Sequence, residues 1–246
     1  MADLLKLLLP VFLSPANYSE MLKKLGSFLF YETWLATFFL RQIEPIRAFF
    51  HSIESSPPVL SVISLIPGYD KLNLTGLVIA LFVAGVSYAA QLHDRISDLF
   101  GIRHRFDLNY ILLPLAQKVG KRATPRLREA MSANRDPLMR AVFYRYASSR
   151  SDKVIVDKHD IERALDGWSW YWILIEAMPL TLVGGIASAI FRARGEAVGF
   201  FGVFICLLFL AWLFNFKLRR LALPQIDTIA ADTKAKAAVK KEFDAV

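Results

Sequence analysis

The feature that most limits how this chain can fold is a set of long runs without a charged side chain. Leu74 to Leu92 is 19 residues with no charge, ended by His93-Asp94-Arg95. Ala197 to Phe216 is 20 residues with no charge, closed by Lys217, Arg219 and Arg220. A helix needs about 20 apolar residues, at about 1.5 Å each, to cross ~30 Å of hydrocarbon. A third run, Trp168 to Phe191, is 24 residues long, opens on an aromatic-rich stretch and carries one acid, Glu176. These runs predict an all-α membrane protein with three to four transmembrane helices. Trp212, Phe214 and Phe216 stand where an interfacial aromatic belt belongs.

The fourth span is expected first in the chain, over residues 22–41. Asn17 and Glu20 have capping-box spacing and Pro45 marks an end, which predicts a helix of about 27 residues. Its apolar centre, Gly26 to Leu40, is short at 15 residues and carries Glu32. A helix lying in the interface is the competing reading. The apolar piece Val59 to Ile66, bracketed by prolines, is too short to cross and reads as surface-hugging or re-entrant.

Composition agrees with a membrane setting. Hydrophobic residues make up 55% of the 246, above the roughly 45–50% of soluble domains even with glycine counted. Mean hydropathy is +0.38. The lone cysteine, Cys206, excludes an intrachain disulfide, and nothing in the sequence supports a thiolate metal site. The opening stretch, Met1 to Pro15, lacks the basic start and small-residue cleavage site of a signal peptide; it reads as an interfacial helix over 1–16.

Charge distribution orients the spans. His93 to Gly167 holds 15 Lys and Arg against 10 Asp and Glu, and seven more basic residues follow Phe216. The excess of basic residues on short flanks marks the cytoplasmic side. The expected organisation is a membrane region over 1–92 (interfacial helix 1–16, span 22–41, extracytoplasmic segment 42–73, span 74–92). A basic helical cytoplasmic module follows over 93–167, then a transmembrane hairpin (168–191, 197–216) and a basic tail over 217–246. The chain is expected in a bacterial inner membrane with both termini cytoplasmic. Arg192 and Arg194, in the short turn on the far side, count against that orientation.

Within the module, Phe106, Leu108, Ile111, Leu112, Leu115, Ala116 and Val119 recur at near-helical spacing. Thr124-Pro125 and Asp136-Pro137 each read as an N-cap with proline at the first helical position. Asp157 reads as the cap of a helix running towards Trp168, Val154-Ile155-Val156 as one short strand, and Asp232 to Val246 as a frayed helix or disordered tail.

From Arg103 to Arg150 there are 11 basic residues and three acids, an excess that equals the formal charge of the whole chain, +8. Arg122, Arg126, Arg128, Arg140 and Arg145 are the candidate anion-binding residues, because guanidinium groups grip phosphate bidentately. Phe143, Tyr144 and Tyr146 interleave as stacking faces for a base. Three partners fit: an anionic lipid surface, a nucleotide or nucleic acid, or a protein. The lipid surface needs the fewest assumptions, since a cytoplasmic loop is basic for topology alone.

Glu176 and Glu32 are intramembrane candidates, since an ionisable group inside a span is costly and by default functional. Pro179 frees a backbone carbonyl beside Glu176 and marks a hinge or cavity. Structural pairing with an arginine, or contact with water near the interface, is the competing role. Small residues four apart point to close helix packing: Ala80 with Ala84, Gly85 with Ala89, Gly184 with Ser188, Gly185 with Ala189, and Gly202 with Cys206. Such packing serves the bundle itself, a homo-oligomer or another membrane protein.

No catalytic residue, metal ligand or cofactor is assigned. His51, His93, His104 and His159 lack fixed metal-site spacing and read as surface or capping groups, and no nucleophile elbow, P-loop or dinucleotide fingerprint occurs. Three functions compete. The first is a non-enzymatic receptor, effector or assembly subunit whose basic module couples an anionic partner to a helix bundle. The second is a transporter or channel component using Glu176 and Pro179. The third is a membrane enzyme with a His/Asp site at the cytoplasmic face.

Overall fold

The computed structural model describes residues 13–57, 59, 61 and 73–246, and among them every regular element is a helix. Most of the interfacial helix expected over 1–16, and most of Val59 to Ile66, lie outside the described residues. Two helices are long and apolar enough to cross a membrane: Lys158–Ile190, 33 residues, and Arg194–Ala231, 38 residues. At 1.5 Å per residue they measure about 50 and 57 Å, so only part of each fits the hydrocarbon. The chain forms two compact units. One gathers residues 13–22, Leu92–Trp170 and Phe214–Val246; the other gathers Lys23–Gln91 and Tyr171–Leu213.

The apolar unit begins with the helix Tyr18–Leu40. Its capping box forms: Asn17 Oδ1 accepts from the Glu20 amide at 3.1 Å, and Glu20 accepts from the Ala16 amide at 2.9 Å. The helix stops at Leu40 and does not run on to Pro45. Pro45 instead lies in the first turn of the next helix, Glu44–Glu54, where its missing N–H leaves no bond unmade. Arg41 turns back and donates to both Glu54 oxygens, at 3.0 and 2.6 Å. Asn73 caps the helix Leu74–Ala89 through Gly76 N at 3.1 Å and donates to Thr37 Oγ1 at 3.1 Å. A Cβ on Gly76 would collide with Thr37 and Asn73, which explains glycine there. Leu74–Ala89 is 16 residues, about 24 Å. The uncharged run is broken at Ala90-Gln91, where Gln91 takes a φ of 49°, and helix resumes at Leu92.

Tyr171–Leu213 is a tight hairpin. A Cβ on Gly184 would fall 2.6 Å from the Phe200 ring, and one on Gly185 would fall 3.0 Å from Phe201. Glycine is therefore what lets these two helices meet. Val183, Ile186, Ile190, Val198, Ile205 and Trp212 face outward, and only 17% of the most apolar stretch of Arg194–Ala231 is buried inside the chain. Side chains this apolar require lipid or another protein around them.

The polar unit is built on the apolar stripe read from the sequence. All seven residues from Phe106 to Val119 that recur at helical spacing are buried. The helical run is Ile102–Phe106, a wider π-helical turn over Asp107–Leu112, then Leu113–Lys118. Pro114 has no N–H for the Tyr110 carbonyl, and the wider turn precedes it, with Leu113 N bonded to Leu108 O. A second π-helical turn, Met139–Tyr144, follows Pro137. Thr124 caps Pro125–Ala133, its Oγ1 accepting from Leu127 N at 3.2 Å. Asp136 is not a cap, because the helix already starts at Arg135.

Asp157 accepts from His159 N at 2.8 Å as Lys158–Ile190 begins. The expected strand at Val154-Ile155-Val156 is absent; the Ile155 and Val156 amides both bond the Tyr146 carbonyl. The last segment is not a frayed tail. Thr233–Asp244 is a helix capped by Asp232, and Ala235, Val239 and Phe243, four apart, are buried. Alanine and lysine hid this stripe, since only two of its three positions are large.

Candidate functional site

Nine of the basic side chains of the polar unit fall into two sets. Four are paired with acids. Arg103 and Arg135 flank Asp107 at 3.8 and 3.5 Å, and Arg135 also holds Asp136. Lys118 meets Asp227 at 2.7 Å, and Lys121 pairs with Asp244. These pairs are internal: they tie the π-helical turns and the two last helices together.

The five arginines singled out in the sequence form the other set. Arg122, Arg126, Arg128 and Arg140 are exposed, Arg145 is half-buried, and none has an acid partner among the described residues. Arg122, Arg126 and Arg128 share the short stretch around the start of Pro125–Ala133, and Arg128 donates to Asn109 at 2.8 Å. Arg140 and Arg145 belong to the second π-helical turn and the short helix after it. The aromatic residues expected as stacking faces are not on this surface: Phe143 and Tyr146 are buried and Tyr144 is half-buried.

Sequence reading missed the cluster around Asp107. This carboxylate is 3% exposed, and Arg103 also donates to the Tyr144 hydroxyl at 3.2 Å, so both widened turns meet in one network. Burial pushes the Asp107 carboxyl up to about 6, against the pull of Arg103 and Arg135. Nearby in the same unit, the Tyr18 hydroxyl is 2.8 Å from His93 Nε2, and His93 is 3.4 Å from Asp94. Burial lowers the His93 pKa, with Asp94 opposing. The usable signal was the i,i+4 spacing of Arg103 and Asp107, with one acid inside an apolar stripe.

The other histidine with a side-chain bond, His104, meets Ser132 at 2.9 Å. Among the described residues no three His, Cys, Asp or Glu side chains converge as metal ligands would.

Glu32 and Glu176 come from different helices, Tyr18–Leu40 and Lys158–Ile190. Glu176 is 6% exposed, and Glu32 Oε2 is buried without a hydrogen-bond donor. Pro179 lies inside Lys158–Ile190, three residues beyond Glu176. Of the small residues, Gly184 and Gly185 are at the hairpin contact. A Cβ on Gly85 or Gly202 would meet nothing within 4 Å, and Gly85, Ala89, Ala189 and Gly202 are exposed.

These features define a class, an all-helical protein with two membrane-length helices and a polar unit carrying unpaired arginines. More narrowly, the chain belongs to the YmfE protein family, whose model matches residues 17–244. It is 26% identical to the uncharacterized protein YmfE of Escherichia coli (strain K12), over 173 residues that cover 70% of each chain. No solved structure matches the chain.

Proposed function

We propose that this is a polytopic inner-membrane protein, non-enzymatic, whose polar unit lies in the cytoplasm with both termini and binds an anionic partner. The helix bundle receives that event through Lys158–Ile190 and Arg194–Ala231, each continuous from one unit into the other. The observation that carries the reading is the charge division just described. Acids pair with Arg103, Lys118, Lys121, Arg135 and Lys158, while Arg122, Arg126, Arg128 and Arg140 are exposed and have no acid partner among the described residues. Unneutralised arginine at a surface is what a phosphate-bearing partner needs. Anionic lipid headgroups are the favoured partner, because the aromatic faces that would stack a base are turned inward.

The test uses full-length protein in detergent and its Arg122→Gln/Arg126→Gln/Arg128→Gln variant. Retention of phosphatidylglycerol is compared with phosphatidylcholine, and with a short RNA, at low and physiological salt. At about 1 kcal/mol per basic residue, the triple variant loses roughly a hundredfold in apparent affinity for the anionic lipid. Equal retention by both proteins contradicts the proposal. Preferential, salt-sensitive RNA binding keeps the anionic surface and replaces the partner.

A further inference from the structure

We propose that the helix Glu44–Glu54 lies in the membrane–water interface, across the ends of Tyr18–Leu40 and Leu74–Ala89, with Phe49 and Ile53 among the acyl chains of the surrounding lipid. Its sequence is amphipathic at helical spacing. At about 100° per residue, Phe49, Ile53, Ile46 and Phe50 succeed one another round an arc of about 100°. Glu44, Arg47, Ala48 and His51 occupy the opposite face, and all four are exposed. The apolar arc is only partly used inside the chain. Phe50 is buried, whereas Phe49 is 59% exposed and Ile53 36%.

The helix is fastened at both ends. At its start Ile43 is buried, and a link of three residues joins it to Leu40. At its far end the Glu54 carboxylate accepts from Arg41 at 3.0 and 2.6 Å and from the Thr75 hydroxyl at 2.9 Å. Arg41 also donates at 3.3 Å to Asn73, the residue that caps Leu74–Ala89. The Arg41–Glu54 pair thus ties the last turn of Glu44–Glu54 to the end of one apolar helix and the start of the next. So held, the short helix can neither extend Tyr18–Leu40 nor swing away from it. Its 11 residues measure about 16 Å, too short to cross the hydrocarbon on their own.

Lipid is the occupant that fits the exposed part of the arc. Leu35, Phe38 and Phe39, in the last two turns of Tyr18–Leu40, are exposed as well, as are Leu81 and Phe82 of Leu74–Ala89. The apolar surface of both helices therefore leads to Glu44–Glu54 within one unit. On the polar face Arg47 meets Glu44 at 3.0 Å, so the helix carries its own counter-charge. It inserts through its apolar side chains, about 5–10 Å into the boundary between headgroups and acyl chains, and does not select anionic lipid. It requires the apolar unit to sit in a bilayer, and nothing of the arginines in the polar unit.

The test uses the full-length chain with Cys206→Ser and one added cysteine at a time: Arg47→Cys, Phe49→Cys, His51→Cys, Ile53→Cys, and Phe209→Cys on the exposed side of Arg194–Ala231 as a lipid reference. Each is labelled with a nitroxide and reconstituted in phosphatidylcholine vesicles. Spin relaxation is then compared between oxygen, which concentrates in acyl chains, and a water-soluble nickel chelate. The oxygen-to-nickel ratio is expected to be several-fold higher at 49 and 53 than at 47 and 51, and lower at 49 than at 209. Nickel prevailing at 49 and 53 places the helix in water and overturns the proposal. Poor access of both reagents there means that protein covers the arc, and a ratio at 49 equal to that at 209 means that the helix is embedded; either overturns it too. Failure at 49 and 53 with position 209 in lipid leaves the membrane setting of the proposed function intact, whereas nickel prevailing at 209 removes both. Size-exclusion profiles matching the parent show that the labelled chains are folded. Should Phe49→Cys not fold, Ile53→Cys, on the same arc, carries the comparison.

Discussion

Replacing Gly184 by alanine perturbs the hairpin at its tightest point. The added Cβ would meet the Phe200 ring at 2.6, 2.7 and 2.9 Å. Ordinary carbon contacts are about 3.5–4.0 Å, so ring or helix must retreat by close to 1 Å. Phe200 is 8% exposed, which leaves its ring little room to swing. Overpacking of this kind costs about 1–3 kcal/mol, corresponding to a fall of roughly 2–12 °C in the apparent unfolding temperature for a chain of this size. Gly185→Ala, at 3.0 Å from Phe201, is expected to cost less, and Gly202→Ala, with nothing within 4 Å, is expected to be near neutral. The assay is thermal unfolding of detergent-solubilised protein followed by size-exclusion loss. Combining Gly184→Ala with Phe200→Leu tests the mechanism, since the two changes should couple favourably. A neutral Gly184→Ala, or Gly202→Ala as damaging as Gly184→Ala, refutes this packing.

Two further outcomes concern the polar unit. The folded Asp107 carboxyl keeps its proton to about 6, whereas its ordinary value is 3.8. The folded state therefore binds more protons between those values, and stability falls as pH rises from about 4 through 6. Unfolding temperatures across that window should decline in the parent chain and flatten in Asp107→Asn; parallel slopes contradict the burial described. Phe243 is 2% exposed and anchors a 12-residue helix that would be marginal alone. Phe243→Ala should cost about 3–5 kcal/mol at that contact and release the helix. Trypsin should then cut after Lys240 and Lys241 much faster than in the parent, and an unchanged cleavage pattern contradicts the docking.

Periodicity and charge made much of this legible. The two membrane-length helices, the buried stripe from Phe106 to Val119 and the caps at Asn17, Thr124 and Asp157 depend on local spacing, which a single sequence displays. Partnerships between distant positions do not. Nothing local pairs Lys121 with Asp244, so the last helix looked unsupported. Nothing local distinguishes Arg135, consumed by the distant Asp107, from Arg122 and Arg126, which have no acid partner among the described residues. Glu32 and Glu176 were each visible as acids in apolar runs. The break at Ala90-Gln91 was hidden because a run without charges reads as continuous whether or not its backbone is.

Site-directed labelling is the most direct test of where the arginine-rich unit sits relative to the bilayer. With Cys206, the only cysteine, changed to serine, single cysteines are placed by Ala133→Cys in the polar unit and Ala193→Cys in the hairpin turn. A membrane-impermeant maleimide is then added to intact cells whose outer barrier is open. Labelling at position 193 from outside, and at position 133 only after the inner membrane is permeabilised, is the expected result. Labelling of position 133 in sealed cells contradicts the proposed topology and, with it, a cytoplasmic anionic partner.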